Sequence, residues 1–256
     1  FYVDSEVATA GDGTSWTNAV RTLQEGINKC VANNGDFVYV AQEHAENIAS
    51  AVALDFDCPG ITIVGHGSGE DQPEISFTAG ATSLGTISAA DVTIYNIRFL
   101  GAFTDGITKA IDITANGDGA RILCCEFRET DNTMELLVMI NVAVNADELV
   151  FAGNRFIGTD SADPTDAIVF AGASNKTIVQ SNTFIGTWSD CVIDGTVALS
   201  TGLNIIDNHV VNLDSTGKTI QFHTSTTGSV IGNKCYGNGS TFAIVADSMF
   251  VCPISN

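Results

Sequence analysis

The chain has 256 residues, 45% of them hydrophobic and 16% charged, which is enough apolar material for a long core and too little charge for a disordered chain. Thirty acidic residues against ten lysines and arginines give a formal charge of −20. Such a surface repels phosphate backbones and anionic lipid, which excludes nucleic acid and membrane surfaces as partners and leaves divalent cations or a basic patch on another protein.

In chain order, the first predicted element is a helix. Trp16, Ala19, Val20, Leu23, Ile27 and Cys30 fall on one helical face, Thr14 or Ser15 is placed to cap its start, and Gly35 follows its end. Beyond it the pattern changes to short apolar strands, Phe37-Val38-Tyr39-Val40 and then Ile61-Thr62-Ile63-Val64-Gly65.

From there a repeat takes over. Five segments read apolar, two variable residues, Asn or Cys, one variable residue, apolar: Ile122 to Phe127 with Cys125, Phe151 to Phe156 with Asn154, Val179 to Phe184 with Asn182, Ile205 to Val210 with Asn208, and Val230 to Cys235 with Asn233. A looser copy runs from Ile94 to Phe99, and the leading positions are spaced by 28, 29, 28, 26 and 25 residues. A second apolar strand recurs at Ile111, Val138, Ile168, Val192, Ile220 and Ile244. A period of this length holds three short strands and three bends. The composition, rich in Val, Ile, Thr and Phe and punctuated by Gly, argues against a helical solenoid.

The expected fold is therefore all-β: a right-handed parallel β-helix of about eight coils stacked about 4.8 Å apart. Ile94, Ile122, Phe151, Val179, Ile205 and Val230 form one internal ladder, and Phe99, Phe127, Phe156, Phe184 and Val210 another. The Asn column is expected at a left-handed bend, with its amides hydrogen-bonded along the axis. A solenoid needs its end blocked, so residues 1–35 are read as an N-terminal cap of strand plus helix, and residues 36–256 as one continuous β-helix domain. The seven cysteines, without a CxxC pair, are read mostly as small buried apolar residues of a reduced protein.

Tyr2-Val3-Asp4-Ser5, Gly11-Asp12-Gly13-Thr14-Ser15-Trp16 and Leu23-Gln24 resemble the cap of phage tailspike-like and pectate-lyase-like β-helices. Val38 to Ile48, Gly60 to Gly69 and Pro73 to Phe77 are similar to a group of tailed-bacteriophage β-helix proteins. The close match spans roughly the first hundred residues, and the coil pattern covers the rest. The resemblance implies a virion-surface component, commonly a homotrimer, serving as head decoration, fibre or tail-associated protein. Its implied partners are copies of itself, other virion proteins such as the major capsid protein, and host-surface glycan.

No catalytic residue and no cofactor is assigned from the sequence. Gly65-His66-Gly67 resembles a motif of β-helix polygalacturonases, but the Asp-Asp pair and the Arg-x-Lys those enzymes also carry are missing. His44, beside Glu43 and Glu46, is read as hydrogen-bonding a neighbouring turn, and His209 and His223 as structural. A column of acids follows the Phe ladder: Asp105, Asp131, Asp163, Asp190 and Asp214, with Asp160, Asp166 and Asp194 nearby. These are read as solvated turns. Asp163, Asp190 and Asp214 are the expected ligands if calcium binds. No basic cluster accompanies them, Lys176 and Arg155 being nearest in sequence. Catalysis on polysaccharide would need an aromatic groove beside paired carboxylates, for which Trp188 near Asp190 and Asp194 is the candidate. In Met134 to Ile140, alternation turns Leu137 and Met139 outward, which makes them the expected subunit contact.

Overall fold

The computed structural model describes residues 1–237 apart from 81, 105, 132 and 160–163, together with the strands Ile244–Val245 and Phe250–Val251. Its strands lie in three parallel sheets of ten, eight and eight, and every sheet neighbour is one coil away in sequence. One coil, for example, places Val150–Ala152 in the first sheet, Arg155–Ile157 in the second and Asp166–Phe170 in the third. This is a right-handed parallel β-helix.

The register follows the apolar ladders. Ile94, Ile122, Phe151, Val179, Ile205 and Val230 are successive partners in the first sheet. Phe99, Phe127, Phe156, Phe184 and Val210 are successive partners in the second. The third column differs from expectation: Ile111 pairs with Ile140 rather than Val138, and Ile168 with Ile193 rather than Val192. Strand Val138–Val142 buries Met139 and Ile140 in succession, and strand Cys191–Gly195 buries Cys191, Val192 and Ile193 in succession. The two-residue alternation fails there, and parity read from the sequence misplaces the inward residue. For the same reason Met139 is fully buried and offers no outward surface, while Leu137 is half-buried. The expected contact pair is corrected accordingly.

Five phenylalanines stack along the interior. Centroid separations are 6.4 Å for Phe77–Phe99, 5.0 Å for Phe99–Phe127, 5.0 Å for Phe127–Phe156 and 4.5 Å for Phe156–Phe184, with ring planes within 21°. Strand spacing imposes this offset stacking, since equivalent residues recur one strand apart. Each pair adds about 0.5–1.5 kcal/mol beyond the area it buries.

Between the first and second sheets the chain bends sharply, and the Asn column holds that bend. The left-handed residues are those just before it: Cys124, Gly153, Ser181, Asp207 and Gly232, with φ between 51° and 67°. The asparagines are buried instead, which corrects the expected backbone role. In the looser copy, Asn96 does occupy the left-handed position, at φ 58°. The axial hydrogen bonding is as expected. The amide Nδ2 of Asn154 donates to Ile122 O at 2.8 Å and to Asn182 Oδ1 at 3.0 Å, and the Asn154 backbone N donates to Asn182 Oδ1 at 2.9 Å. Asn182 repeats the pattern onto Asn208, and Asn208 onto Asn233.

At the N-terminus, Tyr2–Val3 pairs with Tyr39 and Val40 and so extends the first sheet. The expected single helix is two short pieces, a 3-10 turn at Trp16–Asn18 capped by Ser15 and an α-helix at Leu23–Ile27. The break occurs because Val20 leaves the helix to bridge Val3. Thr22 and Glu25 close the α-helix with a reciprocal capping box. Leu23 and Ile27 are buried with Val3, Val20 and Val38. A Cβ on Gly26 would lie 2.7 Å from Val3 and 2.9 Å from Val38, so the helix sits directly on the first coil. Trp16 does not share this face and is 41% exposed.

Candidate functional site

Asp166, Asp190 and Asp194 come together on the third sheet. Asp166 opens the strand Asp166–Phe170 and pairs with Cys191, and Asp194 pairs with Val169 on the adjoining strand Cys191–Gly195. One carboxylate oxygen from each of the three lies within 4.8 Å of the others. Asp166 is 6% exposed and its Oδ1 is buried without a hydrogen bond. Burial, reinforced by the charges of Asp190 and Asp194, pushes the Asp166 carboxyl up to about 7. Lys218 Nζ stands 3.9 Å from Asp190 Oδ1 at the exposed edge.

Of the three acids expected to hold calcium, Asp190 joins this group and Asp214 does not. Asp163 lies outside the described residues, as do Asp105 and Asp160. Asp214 closes its own turn, accepting from Thr216 N at 2.7 Å and Gly217 N at 2.7 Å, and these bonds hold its carboxyl below the usual range. Asp131 does the same with Thr133. Trp188 is fully buried, so it presents no face beside Asp190 and Asp194 for a sugar to stack on. A cue to the true grouping existed in the sequence: Asp166 opens one third-sheet strand, and Asp190 and Asp194 lie just before and near the end of the next. Misreading that sheet's register hid their juxtaposition.

A basic cluster missed in the sequence lies on the second sheet. Arg98 Nε is 3.2 Å from Glu126 Oε1, Arg128 Nη1 is 3.5 Å from the same oxygen, and Arg155 Nη1 is 3.1 Å from Oε2. Glu126 and Arg98 are both buried and offset each other's charge inside the wall of the rod, while the more exposed Arg128 and Arg155 reach Glu126 from outside and leave the group with a net positive charge. The three arginines are 27 or more residues apart in sequence, and only the coil register brings them together.

The histidines divide. Buried His44 accepts from Ser5 N through Nδ1 at 3.0 Å and faces Glu46 Oε2 at 3.3 Å, while Glu46 Oε2 accepts from Leu23 N at 2.7 Å. It thus ties the first coil to the N-terminal segment, and Glu43 is not part of the group. His209 is an exposed strand residue, and His223 Nδ1 accepts from Ser225 N at 3.3 Å. His66 is exposed and packs edge-on against Trp16, centroids 5.4 Å apart, and Tyr2 packs against Trp16 as well at 4.7 Å. Asp4, Glu6, Glu43, Trp16 and His66 line an open surface pocket of about 430 Å³. The six cysteines among the described residues form no disulfide. Burial pushes the Cys125 thiol up to about 12 and raises Cys191 as well, so both behave as apolar filling.

No family model matches the chain, and no curated protein does. Among solved structures it is similar to a pectin methylesterase in complex with a hexasaccharide, at 13% identity and a TM-score of 0.52, covering 92% of this chain and 80% of that one. It is also similar to the pectate lyase Pel9A, at 11% identity and a TM-score of 0.50, covering all of this chain and 78% of that one. At such identities the likeness establishes the shared right-handed parallel β-helix and nothing about chemistry.

Proposed function

We propose that the chain is a non-enzymatic structural component of a phage virion, an exposed capsid-decoration or fibre-type rod that associates with copies of itself. The observation that carries this reading is a pair of apolar rows on the outside of an otherwise acidic molecule. On the first sheet, Tyr2, Tyr39, Val64, Tyr95, Leu123 and Ala152 occupy one register column, which Ile206 and Ile231 continue after Gln180. On the second, Ile157, Ile185, Val211 and Tyr236 occupy another. The column positions are half-buried or exposed, with Tyr95 at 42%, Ile185 at 39% and Tyr236 at 57%. Apolar side chains in file along a rod suit a lengthwise contact with a second rod. The likeness of the N-terminal segments to tailed-phage β-helix proteins points to the virion surface as the place.

Ile185→Asp tests the contact. Light scattering is expected to give a trimer mass for the unmodified chain and a smaller mass for the variant, with an unchanged circular dichroism spectrum and a thermal transition lowered by no more than the lost association. A wild-type monomer at all concentrations, or a variant that assembles as before, would remove the proposed interface.

A second reading, glycan binding or cleavage, is favoured by the Trp16–His66 pocket, where aromatic edges and carboxylates stand together in the open. The fold neighbours that act on pectin and pectate lend it support. It predicts new reducing or unsaturated ends when the protein meets host capsule; the structural reading predicts none.

A further inference from the structure

The acidic group on the third sheet is electrostatically incomplete. Its three carboxylates come from two adjoining coils, with one oxygen of each within 4.8 Å of the other two. Asp194 Oδ1 accepts from Thr196 N at 2.9 Å, and Asp190 has Lys218 nearby. Asp166 is almost wholly enclosed, and its Oδ1 has no hydrogen-bond partner, although Thr165 and the Cys191 backbone lie close enough to stabilise the carboxylate partly. A buried polar atom with no partner is costly, and a buried charge facing two like charges more so. A proton or a cation removes the penalty, but a proton relieves only Asp166 and leaves the other two repelling each other.

We propose that Asp166, Asp190 and Asp194 bind one divalent cation, with calcium the best fit, pinning the fifth coil to the sixth. The donors are all hard oxygens, with neither imidazole nor thiolate among the three, which selects against zinc and copper. Calcium binds oxygen at about 2.3–2.6 Å, so its ligands stand at most about 4.6–5.2 Å apart, and three oxygens all within 4.8 Å of one another are close enough to share one ion. Magnesium demands near-ideal octahedral geometry and gives up its waters reluctantly, so a partly buried carboxylate group suits it less. Asp190, on the exposed side, leaves room for water to complete the shell. The site differs from the aromatic pocket and from the apolar rows, and it stands whether or not the virion reading does.

The test is calorimetric titration of the chelator-treated full chain with calcium chloride, with magnesium chloride in a parallel run. Binding of one calcium per chain is expected, along with a rise in Tm of roughly 5 °C or more at hundredfold excess over Kd. Asp166→Asn should weaken binding at least about tenfold. Asp190→Asn, at an exposed position where folding is not at stake, should weaken it as well, and Asp131→Asn should leave it unchanged. Tighter binding of magnesium than calcium would overturn the assignment of the ion. No heat and no shift in Tm with either salt, or undiminished affinity in both Asp166→Asn and Asp190→Asn, would overturn the site.

Discussion

Replacing Asn182 with alanine is expected to lower the unfolding free energy by roughly 2–6 kcal/mol. The Asn154 backbone N–H loses its acceptor and the Phe151 carbonyl loses its side-chain donor, both in the buried interior. Each unpaired buried group costs about 1–3 kcal/mol. Asn182→Asp is expected to be worse despite its near-identical shape. It keeps the acceptor for Asn154 but turns a charged oxygen toward Phe151 O and Asn208 Oδ1, where the amide donated before. Urea unfolding followed by circular dichroism measures both. If Asn182→Ala lies within half a kcal/mol of the parent, the column is ornament and the backbone alone sets the bend.

The second large effect belongs to the phenylalanine stack. Phe156 has no exposed surface and lies 5.0 Å from Phe127 and 4.5 Å from Phe184. Phe156→Ala is expected to cost about 3–5 kcal/mol, the usual loss for a large buried aromatic, and Phe156→Leu appreciably less because most of the volume remains. Coils contact only their neighbours, so the cavity lands on the two interfaces that this coil makes rather than being shared across a globular core. Scanning calorimetry should then show a broadened or split transition as the halves uncouple. If Phe156→Ala costs no more than Ile185→Ala, at the 39% exposed neighbour on the outer face, the stack is not the source of stability.

Much of this architecture was legible in the residues, for a physical reason. A solenoid writes its register into the sequence, because each coil must offer the same inward side chain at the same place as the one before. Where strands are short and strictly alternating, as around Phe127, Phe156 and Phe184, the reading gives the true partners. Where a five-residue strand buries two neighbours in a row, as at Met139–Ile140, parity no longer reports direction. That one ambiguity turned Met139 outward, shifted Val138 and Val192 into the wrong column, and separated Asp166 from Asp194. The Arg98–Glu126–Arg155 group was invisible for a related reason: its members are not close in sequence, and only knowledge of the second sheet's register brings them side by side. The N-terminal helix was overextended because periodicity does not reveal that Val20 has a better partner in Val3.

The asparagine column also has a direction. Every Oδ1 in it receives hydrogens from the coil before and none from the coil after. A coil's own bend is therefore completed only by residues translated later. As the chain leaves the ribosome, its newest coil waits one further coil length, roughly 1–6 s at ordinary elongation rates, for its missing acceptor. Premature termination reaches backward in the same way: a stop signal that deletes one coil also unfastens the coil before it.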